Sequence, residues 1–314
     1  MVQKPTITSE SSPAVTKTQS DEPQFNEEEL KRKKRMNKIK HKIAIISGKG
    51  GVGKSTITAN LAIAFAANGY ADKVGILDAD ITGPCIPKIL GLHGQKLIAG
   101  LPGIFPSIGP LGIKVVSMDF LLPSDESPVI WRGPIKMRAI SQFLSDIVWG
   151  ELEFLFIDLP PGTGDEPLSV MQLIPELDGV IIITIPSEVS QIVVKKAVTF
   201  AKQLNIPIIG IIDNMSGFIC PKCGEKIDIF QVGGGKKIAK DLDVPFLGEI
   251  PIDPTVCSDS DKGTPFIIEH SNSLAAKSFM EIVNKVKKFV EFTNKLNNSL
   301  KNNKKLQNSW REKT

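Results

Sequence analysis

Cysteine, net charge and long apolar runs are all scarce in this 314-residue chain. Four cysteines with no signal peptide in view make no disulfide framework, so free thiols in a reducing cytoplasm are the expectation. The longest apolar runs, such as Gly179 to Ile185, are far shorter than a bilayer is thick, and no stable membrane insertion is expected. A formal charge of +4 makes no case for nucleic acid as a partner of the whole chain. Nor is the amino terminus acid-poor: Glu10, Asp21, Glu22 and Glu27 to Glu29 set it apart from a mitochondrial transit peptide. What is present is a 41% hydrophobic content, enough for one large α/β core with tails.

The pattern divides into three parts. Residues 1–41 read as a disordered arm, Ser/Thr/Pro/Glu/Gln-rich to about 25 and then strongly basic from Lys31 through Lys42. That basic segment reads as a solvated helix or solubilising arm, with contact to nucleic acid, anionic lipid or an acidic partner as the other reading. Residues 42–270 alternate apolar strand-like runs with helical patterns. The strand candidates are Ile43–Ser47, Val74–Leu77, Ile113–Ser117, Phe154–Asp158, Gly179–Ile185, Ile208–Asp213 and Phe246–Ile250. They are mostly β-branched and apolar throughout, as parallel strands covered on both faces must be, and predict a doubly wound, mostly parallel α/β sheet with ligands at the carboxyl ends of its strands. Residues 271–314 read as a helix whose second half is polar enough to fray.

The densest chemistry lies in Ile43 to Thr56. A strand runs into Gly48, Lys49, Gly50, Gly51, Val52, Gly53, Lys54, Ser55 and Thr56, and a helix follows, so strand, spacing and helix together make a phosphate loop. Backbone N–H groups there can close on a polyphosphate, Lys54 can reach its β- and γ-phosphates, and the Ser55 hydroxyl can ligate Mg²⁺. Asp78 and Asp80 end the second strand and can serve Mg²⁺ and the attacking water, or else are solvated turn carboxylates. Phe154-Leu-Phe-Ile-Asp158 is a Walker-B pattern, Asp158 facing the Mg²⁺ shell, and it leads into Pro160-Pro-Gly-Thr-Gly-Asp165, which reads as a switch loop. Asn214 reads on its own as a turn asparagine.

A second constellation is Cys220-Pro-Lys-Cys223-Gly224. Two thiols at this spacing are half of a four-thiolate site, and no second such pair exists in the chain; two copies meeting on a two-fold axis would complete it. A redox dithiol and an inert pair are the other readings, and the residues alone do not choose between zinc and an iron–sulfur cluster.

Lys49 makes the loop resemble the deviant Walker A loop of the SIMIBI class of P-loop NTPases, in which such a lysine crosses a dimer interface to the partner's nucleotide; a solvated loop lysine is the plainer reading. Asp78-Ala-Asp-Ile-Thr-Gly-Pro84, Trp131-Arg-Gly-Pro134, the Ile157 to Asp165 segment, Asn214-Met-Ser and Cys220-x-x-Cys223 together resemble the Mrp/ApbC-type iron–sulfur cluster carrier ATPases over about residues 42 to 270. That resemblance implies a slow Mg²⁺-dependent ATPase with Lys49, Lys54 and Asp80 as catalytic residues, Asp80 aligning the lytic water. It also implies Asn214 and Pro251 at the adenine, and a homodimer holding a labile [4Fe–4S] cluster between paired Cys220 and Cys223 for delivery to apoproteins. Cys85 stands where a serine is common in that family and reads as a small core residue, with an extra thiol near the nucleotide as the other reading, and Cys257 reads as a packing or surface residue. A partition- or positioning-type ATPase acting on a surface or DNA, and a zinc-bridged dimer, are the alternatives.

Overall fold

The computed structural model describes residues 22–122, 131–220, 222–230 and 233–311. Its strands are β1 (Ile39–Ser47), β2 (Val74–Asp78), β3 (Ile98–Gly100), β4 (Gly103–Phe105), β5 (Ser107–Ile108), β6 (Lys114–Ser117), β7 (Leu152–Asp158), β8 (Gly179–Thr184), β9 (Ile208–Ile219), β10 (Lys226–Ile227) and β11 (Phe246–Ile252). The α-helices are α1 (Glu22–Met36), α2 (Lys54–Phe65), α3 (Ile86–Ile89), α4 (Gly133–Asp146), α5 (Asp165–Leu173), α6 (Glu188–Gln203), α7 (Gly234–Asp241), α8 (Pro254–Lys262), α9 (Phe266–Glu269) and α10 (Leu274–Arg311).

Nine strands form one sheet in the order β10-β9-β8-β1-β7-β2-β6-β5, with β11 also paired to β9, and β3 and β4 make a separate hairpin. Pairing is parallel except where β5 and β10 join antiparallel. The central strands are apolar on both faces because each face is covered. Ile57, Leu61 and Phe65 of α2 with Phe279, Ile282 and Val286 of α10 fill one side. Ile140 and Leu144 of α4, Val194 and Val198 of α6 and Ile238 of α7 fill the other. The register places Asp78 beside Asp158, and Ser117 beside Asp78, at the carboxyl ends of β6, β2 and β7. The doubly wound α/β expectation is met.

The amino-terminal expectation needs correcting. Residues 1–21 lie outside the described part, but Glu22–Met36 is a helix and β1 begins at Ile39, four residues before the predicted strand start. The helix is held in place: Met36 is fully buried, Lys31 Nζ pairs with Asp146 Oδ1 at 2.6 Å, and Arg35 donates to the Pro102 carbonyl at 2.7 Å. Among the described side chains of the helix, Met36 is the buried one, and the basic background hid it. At the other end α10 continues to Arg311, with Phe292 and Leu296 exposed beyond the packed turns. No helix among the described residues is long and apolar enough to cross a membrane.

Candidate functional site

The phosphate loop joins β1 to α2, and its glycines answer to specific neighbours. Gly53 has φ +80°, and a Cβ there would sit 2.4 Å from the Asn214 side-chain nitrogen. At Gly48 a Cβ would sit 2.2 Å from Val193 Cγ1. The loop therefore fits against α6 and the middle of β9 only with no side chain at either position. Gly53 also precedes the first turn of α2, whose unpaired N–H groups face the mouth of the loop.

Around Lys54 the predicted residues converge. Lys54 Nζ lies 2.8 Å from Asp158 Oδ2 and 4.0 Å from Asp80 Oδ2. Ser55 donates to Asp158 Oδ2 at 2.5 Å, and Thr58, one turn along the same helix, donates to Asp158 Oδ1 at 2.8 Å. Asp78 is buried, accepts from Ser117 Oγ at 3.0 Å and from the Asp80 backbone N–H at 3.3 Å, and Thr82 donates to Asp80 Oδ1 at 3.0 Å. Burial, then repulsion from Asp158, pushes the Asp78 carboxyl well above the usual carboxylate range, against the pull of Lys54 and Ser117. Two buried carboxylates in register, with a serine hydroxyl beside them, suit a divalent cation: one positive lysine shared by three acids leaves charge uncompensated. Lys49 is half-buried on the loop and, among the described residues, has no ion-pair partner in its own chain.

Cys85 departs from the expectation of a core position: it is exposed. Its thiol nonetheless bonds Ser55 and is held above the usual thiol range, first by desolvation and further by Asp78 and Asp158. Thr58 and Ser117, which fix the two acids, were not singled out from the sequence. Their position one turn past the loop and at the end of the neighbouring strand is the signal that was available.

Asn214 donates through Nδ2 to the Val52 carbonyl at 2.9 Å. It lines a cavity of about 620 Å³ that opens from Gly53 and Thr56 and is closed by Pro251, Val256 and Phe279. Cys257, exposed, also borders it, as do Met215, Ile229 and Phe230, none of which the sequence assigned there. The switch segment follows β7: Gly162 donates its N–H to the Ser47 carbonyl at 2.8 Å, and Lys136 of α4 grips Glu166 of α5 at 2.6 Å.

Cys220 and Cys223 lie between β9 and β10, in the predicted loop beyond Asn214. The turn is closed by Cys220 N–H to the Glu225 carbonyl and Gly224 N–H to the Cys220 carbonyl, both at 2.9 Å. Backbone N–H groups of Cys223 and Lys222 point at the Cys220 sulfur and, with the Cys223 thiol, hold it below the usual thiol range. Cys223 is exposed. Within the described residues of one chain, no group of three or more His, Cys, Asp and Glu could hold a metal ion.

Comparison with known proteins agrees with this geometry. Residues 38–287 match the family model described as NUBPL iron-transfer P-loop NTPase. The chain is 56% identical over 260 residues to an iron–sulfur cluster carrier protein of Methanocaldococcus jannaschii, covering 83% of this chain and 88% of that one. It is 53% identical over 258 residues to the protein of the same name from Saccharolobus solfataricus, covering 82% and 86%. Among solved structures, a nucleotide-binding protein of Archaeoglobus fulgidus in complex with ADP, with cobalt found, is similar with TM-score 0.68 and 43% identity over 76% of this chain and 92% of that one. The Pyrococcus furiosus cell division ATPase MinD shares the fold alone, with TM-score 0.57 and 22% identity over 79% and 98%. The chain belongs to the family of iron-transfer P-loop NTPases of the deviant Walker A (SIMIBI) class.

Proposed function

We propose that this chain is an ATP-dependent carrier that holds a labile [4Fe–4S] cluster between Cys220 and Cys223 of two copies and passes it to apoproteins. One observation carries the reading: strand β9 runs from Asn214, beside the phosphate loop, to the turn that bears the half-buried Cys220 and the exposed Cys223, and that turn draws Cys220 toward thiolate. Two thiols in this turn, with no larger ligand group among the described residues, call for a second chain to reach the four thiolates a cubane takes. The names of the archaeal relatives support the cargo.

On the nucleotide side, Lys54 exchanges Asp158 for the β- and γ-phosphates, and Ser55, Asp78 and Asp158 are the groups that would hold Mg²⁺. When bound, that ion would neutralise charge on the phosphates and on the buried acids that hold it. Asp80 is placed to orient the lytic water, and Lys49 reaches the nucleotide of the other copy. Asn214, one Nδ2–H engaged by the Val52 carbonyl, keeps Oδ1 as an acceptor for the exocyclic amino group of adenine, and the choice of ATP over GTP rests on the family resemblance.

Anaerobic reconstitution with iron and sulfide tests the cargo. The expected result is a dimer carrying about four irons and four sulfides with a broad band near ~400 nm, as cysteine-ligated clusters show. Cys220→Ala with Cys223→Ala is expected to abolish it. Unchanged iron uptake in that variant, or stoichiometric zinc in its place in anaerobically purified protein, overturns the reading.

A further inference from the structure

The thiol pair sits at the tip of a hairpin whose two arms both end in the cavity beside the phosphate loop. On the incoming arm, β9 presents Asn214 and Met215 to that cavity, and Met215 is held at φ +58°. On the outgoing arm, β10 pairs with the end of β9 through Lys226–Ile219 and Ile227–Phe218, and two residues later Ile229 and Phe230 line the same cavity. Ile229 is exposed and Phe230 half-buried, so two apolar side chains border the cavity without full cover. Beyond them, Asp213 Oδ2 accepts the Gly235 N–H at 2.8 Å and ties the start of α7 to the strand just ahead of Asn214. The hairpin is thus joined to the cavity from both sides, the end of β9 leading from Met215 to Cys220 and β10 lying between Cys223 and Ile229.

We propose that Ile229 and Phe230 form a movable wall of the base pocket, so that a purine base packed against Phe230 rigidifies the β9–β10 hairpin and changes the exposure of its two thiols. The coupling rests on the carrier reading for its purpose but not for its physics. It requires only a nucleoside base in the cavity and a hairpin less ordered without it. Stacking a flat base on an aromatic ring adds contact that phosphate alone cannot supply. By linkage the effect is reciprocal, so whatever fixes the thiols also tightens base binding.

The test compares Mg²⁺-ADP with Mg²⁺-tripolyphosphate, which fills the phosphate loop without a base. Amide hydrogen exchange is followed over residues 222–230, together with the alkylation rates of Cys220 and Cys223 resolved by mass spectrometry. Saturating ADP is expected to slow both by at least about fivefold, the low end for coupled sites, and tripolyphosphate to leave both near the unliganded rates. In Phe230→Ala, at ADP concentrations that saturate that variant, the response is expected to disappear. Equal protection by tripolyphosphate, no response to ADP, or a full response in Phe230→Ala overturns the proposal. Unalkylated portions of the same preparations are loaded with iron and sulfide. A hairpin that responds in a protein taking up no iron keeps the coupling and removes the carrier reading. Iron uptake without a response does the reverse.

Discussion

Lys54 Nζ stands 2.8 Å from Asp158 Oδ2, with the lysine side chain 6% exposed and the carboxylate fully buried. The pair links the end of β7 to the first turn of α2 and occupies the place where β- and γ-phosphates would compete for the lysine. Replacing Lys54 by Ala removes both the phosphate contact and the counter-charge of two buried acids. Nucleotide affinity is expected to fall by more than about 100-fold in calorimetry, as for loss of a desolvated charge partner. Lys49→Ala is expected to hold affinity within about threefold and to lower kcat by about 100-fold, the pattern of a group needed only in the transition state. Equal loss of affinity in both variants would rule out an action of Lys49 across two copies.

Gly53→Ala places a methyl 2.4 Å from the Asn214 amide at φ +80°. The left-handed conformation costs about 1–2 kcal/mol for an L side chain, and the clash adds to it. A modest fall in melting temperature with disproportionate loss of nucleotide binding is expected. Normal binding would show that Asn214 moves aside freely.

Asp213 gives a pH signature. Burial, with a smaller contribution from Glu249, lifts its carboxyl from 3.8 to about 6, against the Gly235 N–H, and its Oδ1 has no hydrogen-bond partner. Because the folded value is the higher one, the native state keeps a proton that the unfolded chain has released. Stability therefore falls as pH rises through that window, by about 3 kcal/mol in all at 1.36 kcal/mol per unit. Asp213→Asn keeps an acceptor for Gly235 without the buried charge. Its stability relative to the wild type is expected to rise by the same amount of about 3 kcal/mol between about pH 4 and pH 6, from a deficit of about 1–2 kcal/mol, the pH-independent cost of the new amide N–H₂, to an advantage of about 1–2 kcal/mol. Denaturant midpoints across pH measure it; an advantage independent of pH would assign the effect elsewhere.

Met36 tests the docked amino-terminal helix. Met36→Ala is expected to destabilise the protein by about 2–5 kcal/mol, as for a fully buried methionine, with no change in nucleotide affinity. Loss below about 0.5 kcal/mol would mean that α1 carries no packing energy.

The sequence alone determined the sheet's central strands and the loop between β1 and α2, because burial on both faces demands unbroken apolar runs and a polyphosphate demands closely spaced glycines. It also singled out Lys54, Ser55, Asp78, Asp80 and Asp158, each placed by its position at a strand end or helix start. The tertiary structure alone decided what lies across from them. Ser117 meets Asp78 through strand register, and Thr58 meets Asp158 through helix phase. Phe230 meets the cavity of Asn214 and Pro251 because a hairpin folds back over it. The same holds for α1, read as an arm on charge density, where Met36 is buried, Lys31 pairs with Asp146 and Arg35 bonds the Pro102 carbonyl. Local pattern reports a residue's own backbone and its need for cover; which distant surface supplies that cover is set only when the chain closes on itself.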